Sequence, residues 1–365
     1  MKILDSLEQE SFILNEGKGE SSDEGGRKPM LYRLNADRSY SIAFHIFPNE
    51  LYGVITDLKS RILKTVSSDI DSTISFEDTI TLLADCCRRL AQGITDMDSL
   101  TGIAVGSHGA TDHEAGITFH APHFHNWGKH ADFRTGLRTA LNTDIPVLVD
   151  NQIRYQILSE RITGRNKDSR NLIVIEAGVG LVAGIMSKNE IKRGIHYLAG
   201  EIGHMIINPG GELCACGGHG CFEAMVTADR IKNMATKAHE SSRESEIFRN
   251  TTPEGLHIYD IFSAANNGDP LAMELMDDLA YWFAIGLTNL QLSYDPESII
   301  IQGVYSQAGN FFLKSLKRQI RELSPLLRDE ELDIRLSMLG KNRSVIGATW
   351  LLAEEYFKQT FSSLT

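Results

Sequence analysis

Residues 200 to 223 read GEIGHMIINPGGELCACGGHGCFE, and in that stretch His204, Cys214, Cys216 and Cys221 bring one imidazole and three sulfurs within 18 residues. Zinc takes such a set tetrahedrally, and the interleaved Gly210, Gly211, Gly217, Gly218 and Gly220 permit the tight turns by which close-set ligands converge on one ion. Four protein ligands close the shell, so the expected ion is structural; a catalytic zinc keeps one position for water. The alternative is three reduced thiols on a glycine loop without metal. His219 is a spare imidazole and ranks behind His204 as a ligand.

Around this loop the 365-residue chain is 42% hydrophobic, 8% aromatic and 23% charged, which excludes wholesale disorder and fibrous repeats and leaves length for two cores. Its 36 basic and 48 acidic side chains give a formal charge of −12, so a general basic coat for nucleic acid is excluded. No uncharged apolar run approaches the roughly 18 residues a membrane span needs. The opening MKILDSLEQESF lacks the basic start and apolar centre of a signal peptide, so the expected location is cytoplasmic, with no membrane partner. The five cysteines fall in two clusters rather than a disulfide framework, and Cys86 and Cys87 read as core thiols on a helix.

Periodicity outlines the rest. Residues 15 to 28, NEGKGESSDEGGRK, hold no apolar side chain and mark a flexible connection or a hairpin tip; residues 1 to 14 ahead of them allow one short helix and a strand. SIAFHIF, LYGVITDL and RILKTVSS, between Ser41 and Ser68, predict a meander, followed by a helix over 76 to 92 and a buried strand, TGIAVGS, over 101 to 107. IPVLVD (145 to 150) is a strand, QIRYQILSERIT (152 to 163) a helix, and NLIVIEAG with GLVAGIMS a strand pair. A helix over 268 to 292, the strand ESIIIQG, the helix QAGNFFLKSLKRQIREL, the strand LDIRLSML and the helix SVIGATWLLAEEYF complete the order. The recurrence suggests a duplicated α/β unit, two lobes of mixed sheet flanked by helices with a cleft between them.

The segments Gly-Glu-x-Gly-His, at Gly200 to His204, and Cys-x-Cys-Gly-x-x-Gly-Cys-x-Glu, at Cys214 to Glu223, resemble the signature of the ROK family (repressor, ORF, kinase) of sugar kinases and sugar-responsive repressors. The resemblance extends from GGRKP (25 to 29) to the C-terminus, through APHFHNW (121 to 127), PVLVDN (146 to 151) with Glu160, and GVGLVAG (178 to 184). It implies a two-lobed actin-like ATPase, ribonuclease H-like α/β fold with an interlobe cleft. The expected domains are an N-terminal lobe over 36–150, on which a helix at 342–358 packs back, and a C-terminal lobe over 151–341 with the zinc loop. The resemblance also implies a sugar-binding set of Glu201, His204 and Glu223, completed by Asn151 and Gln152, with His123 where the family's kinases have Asn. His204 would then serve zinc through one ring nitrogen and face outward with the other. Plainer readings stand beside these: a helix N-terminal acid for Glu223, a surface or supporting acid for Glu201, and helix caps for Asn151 and Gln152. Six histidines, His108, His113, His120, His123, His125 and His130, fall within 23 residues and are expected to line or rim the cleft.

Phosphoryl transfer needs a cradle of closely approaching amides and a carboxylate for the attacking hydroxyl. Against the Asp-x-Gly-Gly-Thr of the family's kinases this chain sets His45, Ile46, Phe47, Pro48 and Asn49, and against their Asn-Asp it sets Asn151 and Gln152. Val179 replaces the Thr of the second glycine loop, and Gln302 with Gly303 replaces a late Gly-Gly. Bulk for glycine, an amide lost at Pro48 and a neutral group for the base predict no catalytic residues and no kinase activity.

The family's repressors open with a DNA-binding winged helix-turn-helix, and residues 6 to 35 resemble its tail: Leu7 ends a helix, Phe12 to Asn15 pairs with Met30 to Leu34, and the glycine-rich piece forms the wing. Residues 1–35 thus read as a remnant. The preceding helices are not in the sequence, and residues 1 to 28 carry four basic and seven acidic groups, so DNA is expected as a partner only if an upstream helix-turn-helix exists. The expectation is a ROK-type transcriptional regulator, or its sensing part. It would bind a sugar or sugar phosphate, hold structural Zn2+ and, by the resemblance, form a homodimer or homotetramer. The runner-up is a divergent ATP-dependent sugar kinase of glucokinase or N-acetylhexosamine kinase type; the third is an interaction module with a vestigial cleft.

Overall fold

Strands buried on both faces carry the fold, which is why their sequences are near-continuous apolar runs such as LTGIAVGS and LIVIEA. The computed structural model describes residues 2–19, 28–163, 167, 169–178, 180–328, 330 and 332–362. They belong to two compact units, Met1–Tyr155 with Ser344–Thr365, and Gln156–Arg343.

The first unit opens with α1 (Lys2–Gln9) and β1 (Ile13–Lys18), which pairs antiparallel with β2 (Met30–Leu34), Ile13 opposite Leu34. Residues 20 to 27, the expected wing, lie outside the described residues. The meander follows as β3 (Tyr40–Ile46), β4 (Glu50–Asp57) and β5 (Ile62–Asp69), then α2 (Phe76–Ala91), whose N-terminus is capped by Ser75 accepting from the Asp78 amide, and β6 (Leu100–Ser107). Beyond β6 lie three short strands, β7 (Ala110–Asp112), β8 (Ile117–His120) and β9 (Ala131–Asp132), then α3 (Phe133–Leu141), β10 (Val147–Asn151) and the start of α4 (Gln152–Thr163), which from Gln156 on belongs to the second unit. The main sheet runs β10-β6-β3-β4-β5. Strands β10, β6 and β3 are parallel, and their register sets both His45 and Asp150 beside Gly106. The C-terminal ends of these strands therefore form one edge, where α/β sheets present their functional side chains.

In the second unit β11 (Leu172–Ala177), β12 (Leu181–Ser187) and β13 (Glu190–Ile191) are followed by α5 (Phe222–Val226), α6 (Ala228–Glu240), α7 (Ile258–Asn266) and α8 (Pro270–Tyr294). The series continues with β14 (Ser298–Gly303), α9 (Gly309–Leu323) and β15 (Ile334–Leu336). The sheet order is β13-β12-β11-β14-β15, with β11, β14 and β15 parallel. Helix α8 starts from an Asp269 cap with Pro270 at its first position, and its buried face joins Ile173, Ile175, Ile299 and Ile301 in the core. The strand expected over 332 to 339 spans three residues: the Ser337 amide makes a last bond to the Ile301 carbonyl, and its hydroxyl turns to Glu160 and accepts from the Leu339 amide.

Helix α10 (Val345–Phe361) returns to the first unit, where Val345, Ala348 and Leu352 cover Ala43, Val54 and Ala104. Near its end Tyr356, Phe357 and Phe361 surround Phe12, with ring centroids 5.0 to 6.3 Å away and the Arg38 guanidinium 5.1 Å over the same ring. No helix among the described residues is long and apolar enough to cross a membrane.

Candidate functional site

The loop between β13 and α5 folds back on itself. The Ile207 and Asn208 amides donate to the Gly220 carbonyl at 2.9 and 3.1 Å, and the Cys214 amide donates to the Gly218 carbonyl at 2.8 Å. These closures bring His204, Cys214, Cys216 and Cys221 together, their ligand atoms all within 4.8 Å of one another. Cys216 Sγ lies 3.7 Å from Cys221 Sγ, and Cys214 Sγ lies 3.9 Å from His204 Nδ1. The sulfur–sulfur separation is far longer than a disulfide, and the cysteines are free. Both distances match the edge of about 3.8 Å that a tetrahedron built on Zn–S bonds of about 2.3 Å would have. The four residues can hold a metal ion, and the donor set suits zinc. The Gly218 amide, then the neighbouring thiols, hold the Cys216 thiol below its usual range, whereas burial, then Cys216 and Cys214, pushes Cys221 up to about 12. His219 turns away, its Nδ1 3.1 Å from the Gly211 carbonyl.

The same fold-back sets Glu223 in the first turn of α5, where Oε2 accepts from the Leu181 amide at 2.9 Å. Gly203 sits close beside it: a Cβ built there would lie 3.2 Å from Glu223 Oε2. The two halves of the 200–223 motif are thus adjacent. Glu201 is half-buried at the start of the turn that carries His204, which is exposed.

The other expected sugar-binding residues belong to the first unit. Asn151 is buried and engaged with backbone: its Oδ1 accepts from the Ile153 amide at 3.1 Å and its Nδ2 donates to the Gly109 carbonyl at 2.9 Å. It does the work of a cap for α4. Gln152 Nε2 lies 3.4 Å from the ring nitrogens of His108, and His108 meets the His123 ring edge to face at 5.4 Å. Of the six clustered histidines, His108 and His123 meet here; His120, His125 and His130 are exposed, the last against Phe119. His108 stands just after β6, at the end of a parallel strand.

The positions expected to stand against the kinases' phosphate loop carry bulky side chains. His45 is fully buried, Phe47 stacks on it at 3.7 Å with 22° between planes, and Ser344 Oγ is 2.9 Å from His45 Nδ1. Asp150, the carboxylate next to Asn151, lies 2.6 Å from Arg154, with both side chains 3% exposed. In the second unit Gly178 donates to the Gly180 carbonyl at 2.9 Å, while Val179 lies outside the described residues. Gln302 is fully buried and donates to Glu160 at 2.8 Å. Beside it Arg343 forks onto Glu176 with bonds of 2.8 and 2.9 Å, an ion pair that sequence reasoning missed.

Comparison with known proteins agrees with this architecture. A glucokinase of Halalkalibacterium halodurans is 31% identical over 270 residues, 73% of this chain and 81% of that protein. The xylose repressor of Bacillus subtilis is 25% identical over 358 residues, 97% of this chain and 86% of the repressor. The crystal structure of a ROK family transcriptional regulator, a homologue of the E. coli MLC protein, superposes with a TM-score of 0.83 at 25% identity, over 99% of this chain and 89% of that one. These relatives share the actin-like plan of two α/β units, and the ROK family model matches residues 50–355; the chain is a member of the ROK family.

Proposed function

We propose that this chain is the sugar-sensing part of a ROK-type transcriptional regulator, with structural zinc on His204, Cys214, Cys216 and Cys221 and without phosphoryl transfer. The observation that carries the reading is the Phe47 ring laid on His45, in the hairpin where a kinase needs small residues to admit phosphate. Two further facts support it. Gln152 supplies a neutral amide, and the neighbouring carboxylate, Asp150, is held by Arg154 and so is not placed to act as a base in its stead. The near full-length match to a xylose repressor favours the regulator branch. Sugar hydroxyls would meet Glu201, Glu223 and the outward nitrogen of His204. Asn151, which already caps α4, is the weaker member of the set.

Calorimetry against pentoses, hexoses and amino sugars tests the sensor. Each carboxylate accepting a hydroxyl is worth roughly 1.5 to 3 kcal/mol, so Glu201→Ala or Glu223→Ala should weaken binding by about 10-fold to 150-fold. The Glu223 change also removes a bond to Leu181, so its melting must be measured alongside. No binding at millimolar sugar, or a binder indifferent to both changes, defeats the reading. The 31% identity to a glucokinase favours the second reading, a divergent sugar kinase. ATP-dependent formation of sugar phosphate that is lost on Gln152→Ala would establish it instead.

A further inference from the structure

We propose that the second unit carries a separate small-molecule site whose ligand is a compact organic cation, an apolar body bearing one ammonium group. The observation is a cavity of about 690 Å³ lying wholly within that unit, with Glu160 of α4 among its lining. Its volume falls in the range of sites that take whole small ligands. Ile300, Leu313, Leu336, Met338 and Leu339 supply apolar walls. None of Glu201, His204, Glu223, Asn151, Gln152 or His123 lines it, so the site is independent of the sugar reading.

The polar groups decide the ligand. Glu160 is 6% exposed, and its Oε1 takes both of its bonds, from Gln302 Nε2 at 2.8 Å and from the Ser337 hydroxyl. Its Oε2 accepts from none of the described residues. Gln302, fully buried behind it, likewise has an Oε1 without a partner. The Arg335 cation on the wall is committed to Asp333 at 2.9 Å and to Ser298 Oγ at 3.0 Å. The Glu160 carboxylate thus presents one open acceptor oxygen among aliphatic side chains, an arrangement that favours a ligand bringing both a donor and a positive charge. A hydroxyl brings one donor and no charge. An ammonium brings three donors and the missing positive charge. An anion would meet the Glu160 carboxylate and be repelled.

Cyclohexylammonium, cyclohexanol and cyclohexanecarboxylate share one apolar body and separate these cases. Calorimetry on the full chain should show the ammonium binding roughly 10-fold to 100-fold more tightly than the alcohol, and no binding of the carboxylate. Glu160→Gln should bring ammonium and alcohol to equal affinity. Leu313→Trp, which puts bulk on the apolar wall and leaves the carboxylate in place, should weaken binding of both. Circular dichroism establishes that each variant is folded; if Glu160→Gln is not, Leu313→Trp alone decides. Equal binding of ammonium and alcohol by the parent, no binding by either, or ammonium binding unchanged in a folded variant overturns the proposal.

Discussion

Replacing Gly220 by Ala should unseat the metal-ligating loop, at a cost the geometry sets. Gly220 has φ of +70°, and a Cβ there would stand 1.7 Å from the Asn208 carbonyl oxygen. The two segments cannot separate to admit a methyl without stretching the bonds by which Ile207 and Asn208 donate to the Gly220 carbonyl. The left-handed backbone costs alanine about 1–2 kcal/mol and two lost hydrogen bonds about 1 kcal/mol each, so the total is about 3–4 kcal/mol. At about 2–4 °C per kcal/mol for a unit of this size, melting should fall by about 6–16 °C. Gly210 provides the control, since its φ is +82° but a Cβ there meets nothing within 4 Å. Gly210→Ala should therefore lose only the backbone part, about 1–2 kcal/mol. Thermal melts followed by circular dichroism, with metal content measured on the same samples, test the comparison. Indistinguishable melting of the two variants would show that the close approach at Gly220 carries no energy, and the reasoning would fail.

Zinc should copurify at about one equivalent per chain, and Cys221→Ser should release it with a lower melting temperature, because a closed thiolate and imidazole set binds tightly; metal analysis of protein never exposed to chelator checks both. Acid should weaken the second unit through Asp269. Burial opposes ionisation there, but the Ala272 and Glu246 amides and the Ser245 hydroxyl outweigh it and hold the carboxyl below its usual range. A depressed folded value means stability fully present above the unfolded value, about 3.9, and lost as pH falls through the folded one. Asp269→Asn should flatten that loss in urea titrations run from neutral to acid, and an unchanged acid limb would refute the assignment.

What could be read from sequence was what is local. The candidate metal ligands lie within 18 residues and the long strands within single apolar runs, so spacing alone points to them. The two-residue β9 and three-residue β7 leave no periodic signal, and residues 108 to 132 received no strands. Helix α6 received none either, although Ile231 and Ala235 stand at helical spacing on its buried face. The partnerships that shape the sites are distant: Gln152 and His108 are 44 residues apart, Glu160 and Gln302 142, and Glu176 and Arg343 167. Sequence set Gln152 and Gln302 against the kinases' residues; only the folded side-chain contacts tell what each one touches.

The return of α10 to the first unit has a consequence for synthesis. Gln156–Arg343 is one uninterrupted stretch and can complete its core while the chain is still on the ribosome. The first unit cannot, because Ala43, Val54 and Ala104 wait for Val345, Ala348 and Leu352. Phe12 waits for Tyr356, Phe357 and Phe361, which are made long after it. Until then the nascent chain holds a sheet with one apolar face only partly covered, by Tyr155, the kind of surface chaperones bind. A stop codon ahead of Val345 would leave the second unit able to fold and the first prone to aggregate, damage out of proportion to the single helix removed.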